Sequence, residues 1–397
     1  MESIPSSPLD RRAKTGLTAG ILLLITLYGF VNSFSSVVMN RVVDTYSLTG
    51  GAQGIMASMI SLGCIAAYLI APVLQGRVNK ATMLTVSAAL MALCFLLLGV
   101  TRHYGTMIAV CVAMGVGFGW TDTFCNSTMV DLNTGARATR LGILHDGFGV
   151  GSLLSPLAIT ALLAVITWQQ ISLVMGALIV LCGLVFVVLR AVFFPKYSST
   201  AEEFRLSGTA VRGYLFRTRS IWILLAGFLY AATQTGLAAW LVRYMTLRYD
   251  AEALGSTALS IYWICATVSR FAAPRIPMRP LKLFLLGVLA SVVFQVIGVL
   301  SGSAIVMCVM SGLVGLVTGL CIPMLVAENA VGQEGNTSLA TSILLVTMCF
   351  ARMLVPIVMG SISSGISVSA SMLLPAVTAA LSGLFALLTL RIDNKKE

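Results

Sequence analysis

The chain has 397 residues, of which 58% are hydrophobic and only 10% charged, a balance that excludes a soluble globular domain and points to a protein that crosses a membrane many times. Its formal charge of +11 invites comparison with nucleic-acid binders. The placement of the basic residues gives a different explanation, set out below.

Apolar runs long enough to cross a hydrocarbon core of roughly 30 Å recur along the whole length. In chain order they predict twelve helical spans: 16–39, 52–75, 82–100, 106–130, 140–167, 170–194, 219–246, 252–271, 280–300, 303–326, 337–363 and 368–391. The runs lack the two-residue alternation of barrel strands, so the predicted fold is all-helical. The first span follows Arg11, Arg12 and Lys14 with no small-x-small cleavage pattern, and reads as an uncleaved first helix. The interval 195–218 is the only long polar one, a linker between blocks 1–194 and 219–397.

If the N-terminus is cytoplasmic, 20 of the 25 Lys and Arg fall on the inner side, and four (Arg41, Arg102, Arg243, Arg248) fall outside. That asymmetry is the positive-inside rule. It orients an inner-membrane protein with both termini in the cytoplasm and removes the need for a nucleic-acid partner. All nine cysteines lie within predicted spans and none has a metal-site or outer-loop disulfide arrangement, so they read as small packing residues. No metal or organic cofactor is implied by any spacing.

The fourth span contains GVGFGWTDTFCNSTMVD, from Gly115 to Asp131. An aspartate at the centre of a spanning helix costs about 2.5–3.5 kcal/mol on insertion scales, which makes Asp122 a functional candidate. Gly115, Gly119, Asp122 and Asn126 share one helical face. That face is either a helix-packing seam or the wall of a site. Tyr28 and Asn32 in span one and Tyr230 and Gln234 in span seven repeat one i, i+4 spacing of hydroxyl and amide. Such pairs suit a neutral polyol or sugar, or else ordinary interhelical hydrogen bonding. Trp240 stands near the end of span seven, as a gate residue or a member of an interfacial belt.

Arg352 sits near the middle of span eleven and needs a counter-charge or an anionic ligand there. Either it pairs with Asp122 or Glu328, or its planar fork binds a substrate carboxylate or phosphate. His145 and Asp146 are adjacent in span five and diverge by about 100° on a helix, so they do not form a catalytic dyad. They read as gate or structural residues. With no nucleophile or oxyanion pair nearby, the chain is not expected to be an enzyme. Asn336-Thr-Ser338 matches a glycosylation sequon but falls in a predicted cytoplasmic loop.

The two blocks match at a shift of about 200 residues. Tyr28 and Asn32 correspond to Tyr230 and Gln234, Ala71-Pro72 to Ala273-Pro274, Gly115 and Gly119 to Gly315 and Gly319, and Pro156 to Pro356. Such an offset predicts a duplicated six-plus-six fold.

With spans and repeat in place, the chain resembles the major facilitator superfamily, and within it the fucose-permease branch of proton-coupled sugar symporters. Span seven, Tyr230-Ala-Ala-Thr-Gln234-Thr-Gly236-Leu-Ala-Ala-Trp240, is similar to that branch's Y-x-G-x-E-x-G-x-x-x-W. Span five, Leu144-His145-Asp146-Gly147-Phe148-Gly149-Val150-Gly151 with Pro156, is similar to its L-H-x-x-F-G-x-G stretch. Gly319 with Pro323 in span ten and Pro356 with Gly360 in span eleven are similar too. The departures are Gln234 where the branch carries glutamate, Asn32 where several symporters carry an acid, and Gln75-Gly-Arg77-Val-Asn-Lys80, which lacks the superfamily's loop aspartate. The resemblance implies two six-helix bundles, substrate near the midplane in contact with Tyr28, Asn32, Asn126, Tyr230, Gln234 and Arg352, and alternating access by rocking. Asp122 is then the central acid left to carry a proton. The expected partners are a small polar solute, a proton and the lipid bilayer, acting on a monomer.

Overall fold

In a computed structural model of the chain, the described residues are 11–75, 78–132, 137–193, 208–272, 275–331 and 337–393. Helices α1 (Arg11–Asn32), α2 (Phe34–Val37) and α3 (Met39–Tyr46) make up the first span and its extension. A 3-10 turn (Gly50–Gly54) leads into α4 (Ile55–Gln75), then α5 (Lys80–Val100), α6 (Tyr104–Leu132), α7 (Arg137–Leu163) and α8 (Trp168–Phe193). A short α9 (Gly208–Leu215) lies in the predicted linker. Then come α10 (Thr218–Tyr249), α11 (Glu252–Ala272), α12 (Pro280–Leu300), α13 (Ala304–Thr318), α14 (Cys321–Ala330), α15 (Thr337–Gly365) and α16 (Val368–Asp393). No strand occurs among the described residues. Arg77, Ala273-Pro274 and the Asn336 sequon lie outside them, as do most of the linker and the terminal lysines.

The helical fold follows from the solvent, since hydrocarbon offers no partner for backbone amides and carbonyls and each span must satisfy its own. Eleven stretches among the described residues are long and apolar enough to cross a membrane. The twelfth predicted span is α11, of similar length at 21 residues but opened by Glu252 and closed by Arg270. Its Ser256, Ser260 and Ser269 are buried, so its polarity faces protein. Local signals set several ends. Asn79 caps α5 by accepting from the Ala81 amide at 2.8 Å, and Asp250 turns the chain into α11 at a positive φ of 52°.

The chain divides into two compact units. The first draws on Met1–Asn32, Gly63–Ser152 and Ile166–Phe204, and the second on Ser33–Leu62, Leu153–Val165 and Arg205–Glu397, each for its described residues. In the first, α5 packs against α6 and α8, and α1 against α6 and α8. Arg190 of α8 donates to Thr82 and Thr85 of α5 at 2.8 and 3.2 Å. In the second, α10 is the hub, packed on α2, α11, α15 and α16. Trp222 stacks on Phe385 with ring centres 5.4 Å apart.

Each unit contains the same glycine seam. In the first, a Cβ on Gly63 of α4 would lie 2.0 Å from the Val112 carbonyl oxygen and 2.8 Å from Gly115 Cα, and one on Gly119 would lie 2.6 Å from Ala67 Cβ. In the second, a Cβ on Gly315 of α13, or on Gly319 just after it, would lie 2.2 Å from the carbonyl oxygen of Tyr262 or Ala266 on α11. Span four rests on span two as span ten rests on span eight. Of the two readings open for the Gly115 and Gly119 face, close helix packing is the one observed.

Candidate functional site

The predicted site residues fall into both units. Tyr28, Asn32, Asp122, Asn126, His145 and Asp146 lie in the first, and Tyr230, Gln234, Trp240, Glu328 and Arg352 in the second.

Asp122 is half-buried in the unbroken α6. Its Oδ2 accepts from the Tyr68 hydroxyl at 2.8 Å, and its Oδ1 from the Asn126 amide at 3.0 Å. The Asn126 amide also reaches the Asp122 carbonyl at 2.8 Å, as i, i+4 neighbours do. Sequence reasoning joined Asp122 to Asn126 but missed Tyr68, whose signal was a phenol in the apolar run of span two. Tyr28 is buried between Phe118 and Phe148, with ring centres 5.1 and 5.2 Å away. Its ring packs α1 onto α6 and α7. Asn32 is half-buried at the last residue of α1, where the helix breaks before Phe34. His145 is exposed and Asp146 half-buried on α7.

Tyr230 is fully buried, and its hydroxyl donates to the Thr318 carbonyl at 2.7 Å. A predicted substrate ligand is therefore engaged within its own unit, beside a break in span ten that Pro323 accompanies. Proline supplies no amide hydrogen, so the carbonyl four residues earlier, that of Gly319, loses its helical partner, and span ten breaks between Thr318 and Cys321. Arg270 Nε donates to the Gly319 carbonyl at 3.2 Å while Tyr230 takes that of Thr318. Arg270 and Arg352 both lie close enough to Tyr230 to act on it electrostatically.

Gln234 is 7% exposed and its Nε2 has no hydrogen-bond partner. Beside it is Tyr262, also buried. The Tyr262 hydroxyl neighbours Gln234 and Thr318 without completing a bond to either. Trp240 is fully buried with its indole nitrogen unpartnered, so it is not the interfacial-belt residue of one sequence reading.

Glu328, one of the two acids offered as a partner for Arg352, is bound by other arginines. Its carboxylate is 2% exposed and accepts from Arg219 at 2.5 Å and from Arg279 at 3.0 Å. Both arginines also bind Asp393. Arg219, Arg279 and Asp393 begin or end three different helices, which is why no short motif linked them. Next to the cluster, Tyr214 of α9 donates to Asn329 at 2.5 Å, and Asn329 donates to the Ala340 carbonyl at 2.9 Å.

A second network at the other end of α10 was also missed. Arg243, counted with the outer loops, is 7% exposed and donates to Gln53 and Asn40. The signal was that it falls inside the predicted span 219–246. All nine cysteines are free thiols. No cluster of metal-ligating side chains occurs among the described residues.

A family model, the Major Facilitator Superfamily, matches residues 21–332. Among solved structures, a bacterial homolog of the human lysosomal transporter Spinster in an inward-facing, occupied conformation superposes with a TM-score of 0.76 at 14% identity, over 96% of this chain and 98% of that one. The nucleoside transporter NupG gives 0.76 at 14%, over 96% and 99%. The transporter FucP in an outward conformation gives 0.66 at 18%, over 95% and 99%. At such identities these structures share the fold. No curated protein sequence matches the chain.

Proposed function

The chain belongs to the major facilitator superfamily, and we propose that it is a proton-coupled carrier of a small, neutral, sugar-like solute. Membership makes it a multi-pass membrane protein and a secondary transporter working by alternating access, not an enzyme. The proposal adds the solute, the proton, the orientation with both termini in the cytoplasm of an inner membrane, and the bundles 1–194 and 219–397 as moving bodies of a monomer.

The observation that carries the reading is the half-buried carboxylate of Asp122 in mid-span, with one oxygen on Tyr68 and the other on Asn126. A carboxylate is acceptor-only when ionised and gains a donor when protonated, so a proton arriving there weakens its acceptance from Tyr68 or Asn126 and adds a donor between them. That links proton binding to the packing of α4 on α6. Asn126 and the unpartnered amide of Gln234 supply the donor and acceptor types a polyol needs. Asn32 remains a ligand candidate in this reading. Tyr28 and Tyr230 serve packing, and the role of Arg352 is to tune the polar centre around Tyr230.

The test is uptake into proteoliposomes from a panel of labelled monosaccharides, polyols, nucleosides and organic acids, with and without an imposed pH gradient. Asp122→Asn should lose gradient-driven accumulation and keep solute exchange. Accumulation by Asp122→Asn at the wild-type level would remove Asp122 from the coupling role. Accumulation of acids alone, abolished by Arg352→Gln, would replace the neutral-solute reading with an anion carrier.

A further inference from the structure

Arg243 on α10 is buried among neutral partners. Its Nε and Nη2 donate to Gln53 Oε1 at 3.0 and 2.8 Å, and its Nη1 donates to Asn40 Oδ1 at 2.8 Å. The bonds continue outward in both directions. Asn40 Nδ2 donates to Thr246 at 2.9 Å, and Gln53 Nε2 donates to Ser364 at 2.9 Å, where the Gly50 amide also donates at 3.1 Å. The guanidinium carbon lies 5.9 Å from the Trp240 ring centre, within cation–π range. Asp44 is near enough to act on Arg243 electrostatically but forms no ion pair with it. One cation thus joins α3, the 3-10 turn, α10 and α15.

We infer that Arg243 is a positioning residue of the transport cycle, the latch that holds segment 33–62 against the last six spans and must release for that end of the carrier to open. The inference rests on the reading of the chain as a carrier whose bundles 1–194 and 219–397 move. Segment 33–62 belongs to the first bundle by sequence, yet it packs in the compact unit of the second. Movement of the bundles therefore breaks these contacts.

Three features suit a contact that breaks and reforms. The acceptors are amide carbonyls, which lose less than a carboxylate would when water replaces a buried guanidinium. The remaining seam is glycine on backbone. A Cβ on Gly54 would lie 2.1 Å from the Pro356 carbonyl oxygen, and one on Gly360 would lie 2.6 Å from that of Gly50. Such surfaces part without unlocking side chains. The flanking bonds are replaceable by water, namely Thr160 to Ser256 at 2.5 Å and the partly exposed pair of Arg41 and Glu252 at 3.0 Å.

The experiment is a spin–spin distance measurement on the full chain in nanodiscs, with labels on Thr45→Cys and Leu247→Cys, both exposed, in a background without the native cysteines. Wild-type protein should show a dominant short distance. Arg243→Met should raise the ratio of a longer-distance population by roughly tenfold, the factor that corresponds to about 1.4 kcal/mol. Arg243→Lys should fall between the two. Asn40→Ala with Gln53→Ala should reproduce the shift with Arg243 present, which covers the case in which Arg243→Met fails to fold. A shifted distribution supports the latch even where wild-type proteoliposomes take up no solute, a failure that would count against the carrier reading alone. An unshifted distribution in folded variants of a protein that transports overturns the latch alone.

Discussion

Glu328→Ala removes the carboxylate on which Arg219 and Arg279 converge. Glu328 is 2% exposed, while the two arginines are 17% and 29% exposed, so the pairs are mostly shielded from water. Deleting one partner of a buried ion pair costs about 3–5 kcal/mol, chiefly by leaving the other charge uncompensated. Here the arginines keep Asp393, with Arg219 Nε still 2.9 Å from its Oδ1, and Arg219 keeps the Glu328 backbone carbonyl at 3.2 Å. Those remaining acceptors reduce the expected loss to about 2 kcal/mol. At about 2–4 °C per kcal/mol, the melting temperature should fall by about 4 °C or more, read by intrinsic fluorescence in detergent. Glu328→Gln keeps one acceptor oxygen and should fall by about half as much. Donation to Glu328 is the first cause that raises the Arg279 pKa. An alanine variant that melts within 1 °C of wild type would refute the view that this cluster clamps the starts of α10 and α12 to the ends of α14 and α16.

Tyr230→Phe strips the donor from the Thr318 carbonyl and should destabilise the protein by about 1–2 kcal/mol while leaving the KM for solute unchanged; a large rise in KM with unchanged melting would restore Tyr230 as a ligand. Gly315→Leu should prevent accumulation of folded protein, because even a Cβ meets the Tyr262 carbonyl oxygen at 2.2 Å; size-exclusion chromatography of the expressed variant checks this. Tyr214 has its phenol pushed up to about 12 by burial. A folded pKa above the unfolded value of about 10 gives stability that is complete below pH 10 and is lost as pH rises towards 12, so the alkaline fall in melting temperature should shrink in Tyr214→Phe.

Spans were legible because the bilayer imposes one length and one polarity on each, and ten of the twelve predicted runs coincide with single helices that share most of their residues. The two exceptions are informative. Span one breaks at Ser33 and span ten at Gly319–Leu320, where apolar composition continues across a backbone interruption. Hydropathy does not register such a break, although Pro323 signalled the second. The glycine seams were legible as a spacing and ambiguous as a role, since packing and binding both favour small residues on one face. Partners were the least legible part. Tyr68 to Asp122 is separated by 54 residues and Arg243 to Asn40 by 203, and nothing local in either segment encodes the other. For Arg352 the reasoning from cost identified a residue that needs company and offered Asp122 or Glu328; Asp122 accepts from Tyr68 and Asn126, and Glu328 from Arg219 and Arg279.

The two repeats treat one position differently. In span four the helix runs unbroken through Asp122, so every backbone carbonyl there keeps its own amide, and the polar group at mid-span is a carboxylate side chain. At the matching place in span ten stands Ile322, just after the break that Pro323 imposes. The polar groups there are the carbonyls of Thr318 and Gly319, which cannot titrate and are held by Tyr230 and Arg270. Arg352 continues the asymmetry, because its counterpart in span five is Ser152, a buried hydroxyl donating to the Gly29 carbonyl at 3.2 Å. The second half thus has fixed cations around a broken helix, and the first has an acid on an intact one. The mid-span polar groups of the two repeats thus differ in kind, and in the first it is Asp122 with Tyr68 that ties α4 to α6.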